Sequence, residues 1–235
     1  MKMRIYDTIL WDLDGTLLDF KLSEKYALGV CLKDYGVELT DELLALYSKI
    51  NENYWKRLEL GEVTKKELLP GRFRDFFAEV GIEHIDPVAI QQKYQRELGT
   101  MTYYMDDSDK LLPDLKQKGF RQYMVTNGVI ITQQIKMKNS GFDRIVDGIF
   151  ISDEIGFEKP RVEFFQAAFD QIKDFDKERT LLIGDSLTSD IKGANNAGIA
   201  ACWYNPLGYE NTLGCNIKYE IRNLNELYTI LEKDV

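Results

Sequence analysis

One strand-like segment stands apart from all the others. Residues 4–11, RIYDTILW, are apolar and β-branched and run straight into Asp12-Leu13-Asp14-Gly15, the pattern of a buried strand ending in a loop. The following stretch, from residue 21 to about 100, contains no convincing strand and reads as helix. Thr40 is followed by Leu43, Tyr47, Ile50, Tyr54 and Leu58 at intervals of three or four. Thr64 and Glu67 form a capping-box pattern ahead of Leu68, Phe73, Phe76 and Phe77, and Gly81 is placed to stop that helix. Asp86-Pro87 opens another through Tyr94 and Leu98.

From about residue 106 the pattern alternates. Helix is expected at 108–118, strand at 120–126, helix at about 130–139, strand at 148–152, and then a helix opened by Pro160 that buries Phe164, Phe165, Ala168, Phe169 and Ile172. Strand at 179–184, helix at about 188–197, strand at 199–204 and a last helix at about 223–233 complete the series. Such alternation implies a parallel sheet with right-handed crossovers. The fold class is therefore α/β, a Rossmann-like parallel sheet core with an inserted all-helical cap domain. The expected division gives residues 1–18 and 106–235 to the core and 19–105 to the cap, with hinges at 18–21 and about 100–106. Helical spacing makes most of the cap aromatics Tyr54, Trp55, Phe73, Phe76 and Phe77 core residues.

Charge and cysteine usage exclude several functions. A net charge of −9 argues against a surface for nucleic-acid polymers. No apolar run approaches the ~20 residues of a membrane span. The short apolar N-terminal stretch ends in aspartates, unlike a secretory leader. Cys31, Cys202 and Cys215 are far apart and unpaired in sequence, as expected of reduced thiols in a cytoplasmic protein. Nothing implies a protein partner.

The unusual polar residues collect where the expected strands end: Asp12 and Asp14 after the first, Thr126-Asn127-Gly128 after the second, Glu158-Lys159 beyond the third, Asp185 and Asp190 after the fourth. In an open parallel sheet, ligands bind at that rim. If they meet, Asp12, Asp14, Asp185 and Asp190 form a carboxylate cluster that is unstable unless a cation binds it or some carboxylates are protonated, and an all-oxygen set suits Mg²⁺. Asp12 and Asp14, two apart in an extended segment, face the same way, so one can attack while the other moves protons. Lys159 offers fixed positive charge to a phosphoryl group. Thr126 and the amides near Leu13 and Asn127 can donate to its oxygens. Gly15 and Gly128 let backbone approach closely. The lone histidine, His84, falls in the cap block, which leaves little room for histidine-based catalysis.

These residues, Asp12-Leu13-Asp14-Gly15-Thr16, Thr126 in VTNG, Lys159 in FEKP, and Asp185 with Asp190 in GDSLTSD, make the chain resemble the phosphatase branch of the haloacid dehalogenase superfamily. The resemblance implies Asp12 as nucleophile, Asp14 as acid/base, Thr126 and Lys159 on phosphate, and Mg²⁺ held by Asp12, the Asp14 carbonyl and Asp185. Asp190 would act through water or on Lys159. Dehalogenase members lack the second aspartate of the first motif, so Asp14 favours phosphoryl chemistry. The stretch GDSLTSDIKGANNAGIAACWYNP, with ISDEIGFEKP before it, is similar to bacterial pyrimidine 5′-nucleotidases. The implied substrate is a small phosphorylated metabolite, a nucleoside 5′-monophosphate first. Phosphoglycolate or a sugar phosphate, a phosphoglucomutase-type isomerisation, and a non-catalytic regulatory role are the alternatives.

Overall fold

The computed structural model describes residues 4–231. Six parallel strands form one sheet in the order β3-β2-β1-β4-β5-β6. They are β1 (Thr8–Trp11), β2 (Arg121–Thr126), β3 (Gly148–Ile151), β4 (Thr180–Gly184), β5 (Ala200–Tyr204) and β6 (Tyr219–Ile221). The chain leaves β1 for β2 and β3 on one side, then crosses to β4 on the other, so the switch point lies between β1 and β4. Trp11 sits level with Met124 and Ile183, which brings Asp12 and Asp185 out side by side.

Both faces of the sheet are buried, as its unbroken apolar strands require. On one face Ile9, Trp11, Met124 and Ile183 pack with Leu111, Leu112 and Leu115 of α5 (Ser108–Gln117) and with Met137 of α6 (Ile130–Ser140). On the other, Leu10, Val125, Leu182 and Trp203 pack with Phe164, Phe165 and Ala168 of α8 (Val162–Phe169), beyond the one-turn α7 (Ser152–Ile155), and with Ala194 of α9 (Lys192–Ala197). The short α10 (Leu227–Leu231) closes the first face.

Between β1 and β2 lie α1 (Phe20–Lys33), α2 (Asp41–Glu59), α3 (Lys65–Val80) and α4 (Pro87–Glu97). They surround a core of their own, in which Tyr47, Phe73, Phe76, Phe77 and Tyr94 are buried. Their ends follow the local chemistry. Thr40 caps α2, Thr64 and Glu67 cap α3 reciprocally, Gly81 ends it in the left-handed conformation, and Asp86 caps α4 with proline at its start. The two connections to the sheet pair with each other, Asp19 N donating to Tyr103 O at 2.8 Å and Met105 N to Leu17 O at 3.0 Å.

Some expected elements differ. The first strand begins at Thr8 rather than residue 4. Pro160 does not open a helix: α8 starts at Val162, because Asn127 binds the Lys159 N–H and C=O at 2.8 and 2.9 Å and the segment closes a turn, Arg161 N donating to Glu158 O at 2.9 Å. Ile172 is buried with that cluster although the helix ends before it. The helix expected at 188–197 begins as a wide turn, Leu187–Ile191, with the amides of Asp190 and Ile191 both on Ser186 O. The strand β6 was not expected: its three residues carry no apolar run and form by pairing with β5. The end of the helix expected at 223–233, like the outermost residues of the expected core, lies outside the described residues. No helix among the described residues is long and apolar enough to cross a membrane.

Candidate active site

Lys159 is the centre of the rim. Its side chain is 1% exposed, and Nζ donates to Asp12 Oδ1 at 2.8 Å, Asp190 Oδ1 at 2.7 Å and Val125 O at 2.7 Å. All three ammonium protons are therefore used. The other Asp190 oxygen accepts from Ser186 N at 3.1 Å, which the wide turn makes possible. Thr16 Oγ1 lies 3.1 Å from Asp12 Oδ2 and 3.3 Å from Asp185 Oδ1, linking the ends of β1 and β4. Trp203 Nε1 donates to Asp185 O at 2.8 Å and fixes that backbone. Asp12, Asp185 and Asp190 each offer a carboxylate oxygen within 4.8 Å of the others.

Asp14 is held separately. Gln133 Nε2 donates to Asp14 Oδ2 at 2.7 Å, and the ammonium of Lys136, buried on the same helix, binds Oδ1. Gln133 Oε1 is buried without a hydrogen-bond partner among the described residues. Thr126 Oγ1 accepts from Gly128 N at 3.1 Å and keeps its own proton to donate. Leu13 is buried, and its carbonyl accepts from the amides of Leu17 and Leu18 in the tight turn after β1. Gly15 has a φ of +93°, and a Cβ there would lie 2.7 Å from Asp185 Oδ2. At Gly128 the missing Cβ makes room for Gln133, which a side chain would strike.

The electrostatics of the two carboxylate groups differ. Burial, then the neighbouring Asp190, pushes the Asp12 carboxyl up to about 7 against the pull of Lys159. Burial and the nearby Asp12 and Asp190 raise Asp185 well above the carboxylate range, and burial raises Asp190 as well. Burial opposes the Lys159 charge, yet Asp12 and Asp190 outweigh it and hold the ammonium above its usual range. One lysine, bound to the buried Asp12 and Asp190, thus faces three carboxylates. An all-oxygen set with an excess of negative charge fits a hard divalent cation.

The rim brings together Asp12, Asp14, Thr126, Asn127, Lys159, Asp185 and Asp190, all singled out from the sequence. Sequence reasoning missed Thr16, Gln133 and Lys136. Gln133 and Lys136 are three apart on one face of α6, but polar residues surround that helix and conceal which face turns inward. It also missed Glu59 at the end of α2, whose carboxyl burial raises while Thr188, Lys159 and Ser189 beside the rim draw it down.

A family model described as haloacid dehalogenase-like hydrolase matches residues 6–198. A crystal structure of the HAD-hydrolase YfnB from Bacillus subtilis, bound to magnesium and described as revealing interdomain movement, superposes with a TM-score of 0.92 at 40% identity, covering 97% of this chain and 99% of that one. The pyrimidine 5′-nucleotidase PynA of Streptococcus pneumoniae is 37% identical over 98% of this chain and 97% of its own. The pyrimidine 5′-nucleotidase YjjG of Escherichia coli is 28% identical over 97% and 99%.

Proposed function

The chain belongs to the haloacid dehalogenase-like hydrolases, and from that premise we propose that it is a magnesium-dependent phosphomonoester hydrolase acting on nucleoside 5′-monophosphates. The observation that carries the reading is the division of the carboxylates: Asp12 shares Lys159 with Asp190, whereas Asp14 is bound by Lys136. Two carboxylates two residues apart, in unlike surroundings, suit unlike roles.

In this reading Asp12 attacks phosphorus and the bond to the leaving oxygen breaks as Asp14 delivers a proton to it. Water then attacks the aspartyl-phosphate, Asp14 takes its proton, and Asp12 is released with inorganic phosphate. Lys159 keeps Asp12 in position and favours its ionised form. The Thr126 hydroxyl and the backbone after Asp12 and Thr126 are the donors for the phosphoryl oxygens. Asp12, the Asp14 carbonyl and Asp185 would hold Mg²⁺, with Asp190 anchored on Lys159. The bound ion supplies the positive charge that this set lacks. Residues 1–18 and 106–235 serve as the catalytic core and 19–105 as a cap that closes over it.

A panel of phosphate esters assayed with Mg²⁺ tests the reading. Pyrimidine nucleoside monophosphates should give the highest kcat/KM, EDTA should abolish turnover and Mg²⁺ should restore it. Full activity in the chelator contradicts the metal assignment. A better rate with phosphoglycolate, glyceraldehyde 3-phosphate or a sugar phosphate replaces the substrate. Isomerised sugar phosphate without free phosphate makes the protein a mutase.

A further inference from the structure

The cap interior holds polar groups that this reaction leaves unused. Arg72, on α3, is 1% exposed, and its Nη1 donates to Asn51 Oδ1 at 2.7 Å. Its Nε and Nη2 have no hydrogen-bond partner among the described residues, and neither have the hydroxyls of Tyr47 and Tyr94. Asn51 donates in turn to Glu24 Oε1 at 2.8 Å, and Ser48 Oγ to the other Glu24 oxygen. Buried polar groups are nearly always satisfied, and leaving a charged donor without an acceptor is costly. A cluster that served only to hold helices together would do as well with apolar side chains.

Helix geometry puts the cluster above the carboxylates. The Phe20 ring, at the start of α1, is 5.4 Å from Lys136 Nζ, and Glu24 follows one turn later on the same face. Glu59, the last residue of α2, reaches the rim, and Asn51 lies eight residues back. Lys65, the first residue of α3, binds Asp153 of the core, and Arg72 lies seven residues on. Three helices that touch the core at their ends therefore converge their polar groups roughly 6–12 Å deeper into the cap.

We propose that Arg72 and Asn51, with Glu24 behind them, form the subsite for the leaving group, and that it reads the carbonyl edge of a pyrimidine base. The inference rests on the nucleotidase reading. Nε and Nη2 make up one edge of the guanidinium, the edge that grips two neighbouring acceptors. Cytosine offers such a pair in O2 and N3; uracil offers O2. The base enters when the cap opens, and the two unused donors are what it finds.

The test compares kcat/KM for cytidine 5′-monophosphate with that for phenyl phosphate, whose leaving group carries no acceptor beyond the ester oxygen. In Arg72→Met, and in Arg72→Lys, which keeps a cation for Glu24, the ratio should fall at least tenfold. A folded variant whose ratio stays within twofold of the wild type overturns the proposal. So does an equal loss on both substrates, which makes Arg72 structural. Wild-type protein gives a second measurement that needs no variant. Cytidine should inhibit p-nitrophenyl phosphate hydrolysis competitively and at least tenfold more strongly than ribose, and equal inhibition overturns the proposal. The two readings fail separately. If wild-type protein turns over no nucleotide, the nucleotidase reading falls and takes this inference with it. Nucleotide turnover with an unmoved ratio removes this inference alone.

Discussion

The rim of the core and the interior of the cap each bury a cation with carboxylate and amide groups, but they are short of opposite things. At the rim every proton of Lys159 has an acceptor, two of them carboxylates, and Asp185 adds a third carboxylate nearby, so the deficit is in positive charge. In the cap the Nε and Nη2 donors of Arg72 have no acceptor among the described residues, so the deficit is in acceptors. In the proposed reading a cation would complete the first and an acceptor-bearing organic group the second. On that reading, chemistry would belong to the core and recognition to the cap.

Removing the attacking carboxylate is the sharpest way to test the core half of that contrast. Asp12→Asn should lower phosphate release by roughly three orders of magnitude or more while the protein stays folded. Its stability should move the other way. The folded Asp12 carboxyl titrates at about 7, whereas an unfolded one titrates near 4, so between those values the folded chain holds a proton that the unfolded chain has released. Metal-free stability is therefore lost as pH rises through that window, and a neutral Asn removes the loss. Melting in EDTA at pH 8 should show a Tm at or above wild type. A fall of more than about 5 °C, beyond 1 kcal/mol at this size, would mean that Asp12 mainly serves the fold.

The next effect in size concerns Asp14. Lys136→Met leaves Asp14 with Gln133 alone. Hydrolysis of a nucleotide, whose alkoxide must be protonated as it leaves, should fall by about 10–100-fold. Hydrolysis of p-nitrophenyl phosphate, whose leaving group needs little help, should fall much less. An equal fall on both would mean that Lys136 supports the rim as a whole and not the acid. Asp14 keeps some solvent contact, so the cost in stability should be only about 1–2 kcal/mol.

The two regions also differ in how far the sequence reveals them. The rim was legible because Asp12, Asp14, Thr126, Asn127 and Asp185 sit at or just past strand ends, and a parallel sheet gathers strand ends whatever their distance in sequence. Asp12 and Lys159 are far apart in the chain, yet an apolar strand followed by a polar residue marks the first, and Lys159 stands in a conspicuous Glu-Lys-Pro. Nothing similar marks Arg72, which occupies one position among many charged ones on a helix, or Asn51. Their meeting depends on how α1, α2, α3 and α4 turn against one another, which periodicity does not specify. Lys136 was missed for the same reason. Local hydrogen bonds displaced the remaining expectations, the Asn127 clamp on Lys159 delaying α8 and the Ser186 carbonyl widening the turn that carries Asp190.

The smallest effect belongs to the contact that joins the two regions. Lys65 binds Asp153, lies 2.8 Å from Ser152 Oγ and 4.0 Å from Glu158 Oε1, and so ties the start of α3 to the segments leading to Lys159. At the other end of the same short connection Glu59 lies near Thr188 and Ser189. The connection thus straddles the rim. Lys65 is largely shielded, but its partners are partly exposed, and pairs of that kind contribute about 1 kcal/mol or less. Lys65→Ala should therefore shift Tm by only about 2–4 °C. If, as proposed, the cap closes over the core and makes this contact only when shut, the kinetic effect should exceed that, because the contact then stabilises closure rather than the fold. KM for a nucleotide should rise about two- to fivefold, with kcat unchanged, or raised where opening limits product release. If KM stays fixed while Tm falls, the contact is part of the resting fold, and recognition in the cap does not depend on closing it over the core.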